Sequence, residues 1–439
     1  VLKVSTRDQI AHFGQTPSQL LKAEPHVARF PLTTDLSNHY RSIFVRPDML
    51  DIYRINLEPI NNASGANNST TSDLNGAIVY LSCAMMNDRV IAVDEYGLIR
   101  IYRLIRPLTW QHVESNHPFK YLPNYRQRLD HASDGDQSTT LDTSRHGQHV
   151  TTRHSTHQFA ISPDGRTLYS AAHWDGTAKV VAIDSHSLTG SAGGGAQTAL
   201  SLSPVGLVQS KPPLTCLALA EDGGLLVTGC ADTTLTVWTV HGPGITGTNS
   251  SSNVISPQRL TTKSPLLPVT LHPRHVLYGH DREITAVAIS RDLDVCISGS
   301  RDGTCLVHTL KQGQYVRALQ LPHVNASIDM IVICATTGHF AMYSKTSLTL
   351  YLYTINGKLL AQTDANDHLN HMVVTKDGEY LISGGRKGTV VIRTLFTLQT
   401  VHKFQVDAAV CSLALTAEEK HLLVGLDNGK MILFYPRGL

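Results

Sequence analysis

From residue 77 onward, short apolar runs rich in Val, Ile, Leu and Thr alternate with Asp-Gly and Asn-Gly steps. This is the pattern of strands joined by tight turns. Three segments share one grammar: ITAVAISRDLDVCISGSRDGTCLVHTL at 284–310, LNHMVVTKDGEYLISGGRKGTVVIRTL at 369–395 and VCSLALTAEEKHLLVGLDNGKMILFYP at 410–436. Each reads as strand, turn, strand, turn, strand. The same order recurs at 157–183 and 214–240, in a worn form at 78–104, and in a weaker copy without its turn glycine at 328–355.

The second-turn residue serves as a ruler. Gly97, Gly176, Thr233, Gly303, Ser347, Gly388 and Gly429 are separated by 79, 57, 70, 44, 41 and 41 residues. The last three gaps match the ~40–45-residue repeat of a four-stranded propeller blade. The first three are the same unit carrying polar insertions within 105–156, 184–213 and 241–274. Stacking such sheets face to face around an axis buries both faces and leaves only short edges. The pattern therefore predicts an all-β, seven-bladed propeller over 77–439. Its last unit stops after a third strand, so the fourth is expected from the N-terminal side, at MLDIYRINL (49–57). That segment lies in a linker at 34–76, where NNASGANNSTTSD (61–73) cannot bury apolar surface.

Residues 1–33 follow a different period. In FGQTPSQLLK, Thr16 is placed to cap a helix with Gln19 reaching back, and Pro17 takes the first helical position. The Glu24-Pro25 step ends that helix, while Ile10 and Phe13 share one face of a shorter one before it. The chain opens with Val1, which suggests a fragment of a longer polypeptide.

Charge and composition narrow the function. Thirty-seven Lys plus Arg stand against 35 Asp plus Glu with no dense basic block, which excludes a nucleic-acid footprint and points to protein partners. No apolar run approaches the ~18–20 residues that span a bilayer, and no signal peptide opens the chain, so a cytoplasmic location is expected. Seven cysteines without CxxC spacing read as buried, reduced thiols. His146, His149, His154 and His157 crowd the first insertion, but their flanks lack the apolar anchors that fix a tetrahedral metal site. GxSxG, GxxxxGK[ST] and HExxH motifs are absent. No catalytic residue, metal or cofactor is expected.

The units resemble WD repeats. Gly279-His280 matches that family's pair ahead of the first strand, Asp175, Asp232 and Asp302 match its turn acid, and Trp238 its terminal Trp. Elsewhere the match decays: His308 stands at the Trp position and Lys387 at the turn Asp. The resemblance implies a structural network of His280, Ser298 and Asp302, with Asp175, Asp232 and Trp238 doing the same work in other blades. In a propeller the residue before the turn Asp projects onto one flat face, here Trp174, Arg301 and Arg386, residue types that anchor protein contacts.

A second resemblance is narrower. RDQIAHFGQTPSQLLKAEPH at 7–26 is similar to the C-terminal end of a BEACH domain of the neurobeachin and lipopolysaccharide-responsive beige-like anchor group, which precedes a WD-repeat propeller. It implies a helical BEACH tail at 1–33, a BEACH domain before it in the same chain, and a non-enzymatic scaffold. Such proteins act in vesicle and endomembrane trafficking, peripherally on membranes, and some anchor protein kinase A through a helix outside these residues. Two alternatives use the same fold. A substrate receptor for ubiquitin ligation would lack the BEACH-like tail, and a lipid-binding propeller would need a basic patch on one face.

Overall fold

In the computed structural model of the protein, the described residues are 50–55, 77–83, 89–94, 98–105, 109–118, 158–171, 178–188, 197–208, 213–242, 269–323, 326–416, 419 and 421–436. Among them there is no α-helix. The expected helices at 1–33, the segment 61–73, Trp174, Asp175 and the four histidines of the first insertion lie outside the described residues.

The described strands form seven four-stranded antiparallel sheets. Sheet 1 holds Ile78–Cys83, Arg89–Asp94, Leu98–Ile105 and Thr109–Pro118; sheet 2 holds Phe159–Ile161, Thr167–Ser170, Ala178–Leu188 and Gln197–Val208. Sheet 3 comprises Leu214–Leu219, Leu225–Cys230, Leu235–His241 and Thr270–Leu277; sheet 4, Ile284–Ser290, Val295–Ser300, Thr304–Thr309 and Tyr315–Gln320. Sheet 5 runs through Met330–Cys334, His339–Ser344, Thr349–Thr354 and Leu359–Asp364, and sheet 6 through Leu369–Val374, Tyr380–Gly385, Thr389–Thr394 and Thr400–Gln405. Sheet 7 takes Val410–Leu415, Leu422–Leu426 and Met431–Pro436 from the end of the chain. Its fourth strand is Leu50–Ile55, paired antiparallel from Leu50 opposite Pro436 to Ile55 opposite Met431.

The fourth strands of sheets 1 to 3 fall inside or overlap the stretches read above as insertions. An outermost strand keeps one edge in water, so its composition is polar and resembles a loop. Tyr315–Gln320, Leu359–Asp364 and Thr400–Gln405 show the same half-exposed alternation.

The core consists of wedges between successive sheets, because each second strand is buried on both faces. In VCISGS of sheet 4, Val295 and Ile297 point toward Phe340, Met342 and Tyr351 of sheet 5. Cys296, between them, points toward Val227 and Val237 of sheet 3. Similar wedges join sheets 2 and 3, 5 and 6, and 7 and 1. Phe404 and Phe434 meet between sheets 6 and 7 with ring centroids 5.2 Å apart, and Tyr80 stacks on Phe159 between sheets 1 and 2 at the same spacing. Each buried Leu, Ile or Phe contributes about 1.5–3 kcal/mol.

A repeated joint holds neighbouring sheets in register. The first strands of sheets 3, 4, 6 and 7 shift register after their first residue, as a bulge re-aims a side chain. Thr215 donates to the carbonyl of Ile284 in the next sheet at 2.5 Å, and Thr285 donates to that of Ile328. Asn370 Nδ2 donates to Val410 at 2.8 Å, and Ser412 to Ile78 at 2.9 Å, the last linking the final sheet to the first. The side chains of the residues whose carbonyls accept these bonds need room. Gly229, Gly299, Gly384 and Gly425 occupy one equivalent position, and a Cβ there would lie 2.8, 2.4, 2.3 and 2.8 Å from a branch methyl of Ile284, Ile328, Val410 and Ile78 respectively. The arrangement is an all-β propeller.

Candidate protein-docking face

The end carrying the turns between second and third strands is built most fully in sheet 4. The His280 ring, 5% exposed, sits between Ser298 Oγ at 2.8 Å from Nε2 and Thr304 Oγ1 at 2.9 Å from Nδ1. Asp302 accepts from the Thr304 hydroxyl and amide and from the Asp281 amide at 2.9 Å. Because Thr304 spends its proton on Asp302, it accepts from His280 Nδ1–H, and Ser298 then donates to the bare Nε2. Burial pushes the His280 imidazole below its ordinary value, more than Asp302 at 3.7 Å raises it. Burial raises the Asp302 carboxyl, but the bonds from Thr304 and Asp281 outweigh it and hold that group low. A neutral histidine beside an ionised aspartate is the result.

Ser298, His280 and Asp302 have the residue types of a hydrolytic triad, yet the geometry is structural. Ser298 is fully buried, so no substrate reaches its oxygen, and Thr304 is interposed between ring and carboxylate. Thr304 completes the set and was not singled out in the sequence. Its position directly after the Asp-Gly turn was the available signal.

The other sheets solve the same position with different chemistry. In sheet 3, Asp232 is exposed and accepts from Thr234, while Trp238 Nε1 donates to Thr228 Oγ1 at 2.9 Å. Register places His308 and Arg393 where Trp238 stands. Arg393 is buried, and its Nη1 donates to Ser383 Oγ at 2.7 Å, so a guanidinium replaces the indole; burial lowers its pKa. In sheet 6 the missing turn acid is supplied from the preceding loop, where Asp367 accepts the Lys387 amide at 2.9 Å. Sheet 5 does likewise with Asp329 and the Lys345 amide at 2.8 Å. The carboxylate and the amide have exchanged sides, a swap that the turn motif alone does not reveal.

Of the three residues expected on this face, Trp174 lies outside the described residues. Arg301 forms an ion pair through Nε with Glu283, and its side chain remains 35% exposed. Arg386 is exposed, and both arginines hold the equivalent place, donating their amides to the carbonyls of Glu283 and His368 at 3.1 and 3.0 Å. Below Arg386, the buried Tyr343 hydroxyl bridges the Asp367 carbonyl and the Leu369 amide, both at 3.2 Å, and burial pushes it up to about 12. The face thus offers one half-neutralised and one exposed guanidinium on a rigid floor.

At the opposite end, Tyr80, Phe159, Ile161, Pro163, Leu217 and Leu219 line a hollow of about 340 Å³. Glu221 stands at its edge, its carboxyl raised by burial and then by Asp292. Among the described residues no three His, Cys, Asp or Glu side chains are grouped to hold a metal ion. None of the seven cysteines is joined in a disulfide, and burial raises Cys216 to about 12.

Comparison with known proteins agrees with the fold. The family model described as "Neurobeachin beta propeller domain" matches residues 196–436, and a "WD domain, G-beta repeat" model matches 140–181. "BEACH domain-containing protein B" of Arabidopsis thaliana is 32% identical over 242 residues, 54% of this chain and 9% of that protein. "BEACH domain-containing protein lvsE" of Dictyostelium discoideum is 24% identical over 485 residues, 98% of this chain and 19% of its own length. The "Putative neurobeachin homolog" of Caenorhabditis elegans is 28% identical over 226 residues, 50% of this chain and 8% of that protein. The chain therefore spans less than a fifth of these relatives. With more than half of its residues inside the first family model, it belongs to the family of neurobeachin beta-propeller domains.

Proposed function

We propose that this chain is a non-enzymatic protein-docking platform. Its seven sheets serve as the seven blades of a closed ring that follows a BEACH-type helical tail. It works as part of a larger scaffold in the cytoplasm, peripheral to endomembranes and engaged in vesicle traffic or kinase anchoring. The observation that carries the reading is the contrast in sheet 4. Its one triad-like set is closed off from solvent, whereas the same end exposes Arg386 and, in part, Arg301. Guanidinium forks on a rigid floor suit carboxylates of a partner protein. Quantitative affinity capture with the parent chain and with Arg301→Glu/Arg386→Glu tests it. The same proteins should be depleted from the variant at unchanged thermal stability; identical captured sets would overturn this assignment of the face.

A further inference from the structure

The side wall between sheets 3 and 4 carries a second feature. Six large apolar or aromatic side chains are exposed among the described residues, and four of them, Val276, Tyr278, Tyr315 and Val316, fall on or beside the outer strands of these two sheets. Tyr278 is 67% exposed and Tyr315 58%. His275 pairs with Val237, whose side chain lies in the wedge between sheets 3 and 4, so His275 turns toward sheet 4. There its Nε2 lies 3.0 Å from the Lys311 carbonyl, and Arg274 Nη2 donates to that carbonyl at 3.0 Å. Between these walls lies His308, only 2% exposed, with the Tyr315 ring against it at 5.8 Å and Nε2 on the Tyr278 carbonyl at 3.3 Å. A carbonyl only accepts, so Nε2 carries the hydrogen and Nδ1 is a bare acceptor. That buried Nδ1 has no hydrogen-bond partner.

Charge selects the occupant. Residues 270–280 and 311–320 contain no Asp or Glu, and Arg274 and Lys311 stand on this side, whereas Arg317 pairs with Val307 and turns toward sheet 5 to donate to the Asn356 carbonyl. The nearest acid, Asp294, accepts the Lys311 amide at 2.9 Å. Tyr315–Gln320 is the outermost strand of its sheet, so one row of its backbone N–H and C=O groups is open to strand addition. Arg274, held by its bond to Lys311, is fixed in place, which suits a carboxylate fork better than a diffuse headgroup layer.

We infer that the groove between the outer strands of sheets 3 and 4 docks an extended acidic segment of a partner protein, seating an apolar side chain between Tyr278 and Tyr315 and its carboxylates on Arg274 and Lys311. The site is separate from the end face proposed above, and either can fail alone.

The test uses the full chain and two fluorescein-labelled dodecapeptides, one alternating Leu or Phe with Glu, the other the same with Lys for Glu. Fluorescence anisotropy should show the acidic peptide binding at least tenfold tighter, with affinity falling as salt rises. Tyr278→Ser/Tyr315→Ser and, separately, Arg274→Glu/Lys311→Glu should each weaken it at least tenfold at unchanged melting temperature. Arg301→Glu/Arg386→Glu should leave it unchanged. Equal binding of both peptides, indifference to the tyrosine pair, or sedimentation with phosphatidylserine vesicles in place of peptide binding would overturn the inference.

Discussion

Replacing Gly299 with alanine isolates the joint between sheets. The new Cβ would meet the Ile328 branch methyl at 2.4 Å, its Cβ at 2.8 Å and Ile331 Cδ1 at 3.0 Å. Ile328 is fully buried and its carbonyl is held by Thr285, so it cannot retreat without opening the wedge to Phe340 and Met342. Overpacking of this kind costs about 1–3 kcal/mol. Gly299 is not in the left-handed region, so alanine pays no backbone strain and recovers about 0.4–1 kcal/mol by restricting the unfolded chain. The net loss is about 1–2 kcal/mol, read as a lower urea midpoint with an unchanged slope. Ile328→Leu moves the branch one carbon outward, so the double variant should be more stable than the sum of the single losses by ~1 kcal/mol or more. An alanine variant as stable as the parent, or strictly additive losses, would refute the steric account.

Four further outcomes follow from the same geometry. His280→Leu takes the ring partner from the fully buried Ser298 hydroxyl, while Thr304 keeps its bond to Asp302, and should cost about 1–3 kcal/mol in urea unfolding. His280, His308 and His339 are all held below their ordinary value by burial. The unfolded chain therefore binds protons near pH 6.5 that the folded one refuses, and stability present above that pH is lost as pH falls toward the folded values. The melting midpoint should drop between pH 7.5 and 5.5, and His339→Phe, which keeps the edge contact with Phe396, should lessen that drop. Ellman's reagent should modify the half-buried Cys83 and Cys411 quickly in the native protein, and Cys216, Cys296 and Cys305 only after denaturation. Removing residues 1–58 takes away Leu50–Ile55, bares the Met431–Pro436 edge, and should yield oligomers by light scattering where the full chain does not.

Much of this architecture is legible along the chain because strand periodicity is local. The runs around VCISGS and LISGG alternate between two wedges, and Asp-Gly turns must follow strands of that length, so the repeat, the all-β class and the need for a closing strand are written in 77–439. Gly279-His280, Ser298 and Asp302 are reached through the resemblance to WD repeats, and one sheet brings them together. Fourth strands are harder to see, because an outer edge half in water has the composition of a loop.

Other features depend on contacts between residues far apart in sequence. Asp367 and Asp329 take over the turn acid's task from the opposite loop, and Arg393 fills an indole's place because Ser383 happens to face it. The Ser412–Ile78 bond and the pairing of Leu50–Ile55 with Met431–Pro436 join the two halves of the chain. The Glu283 carboxylate neutralising Arg301 and the Tyr315 ring on His308 exist only once the strands of sheet 4 are in register, and the Tyr278 carbonyl reaches His308 only once sheets 3 and 4 are stacked. Local patterning, in short, fixed which segments become strands and which face of each is buried, since those depend on neighbours two residues away. Which polar groups meet across sheets, and so which charges and rings stay open to a partner, was decided by packing between strands that no local period connects.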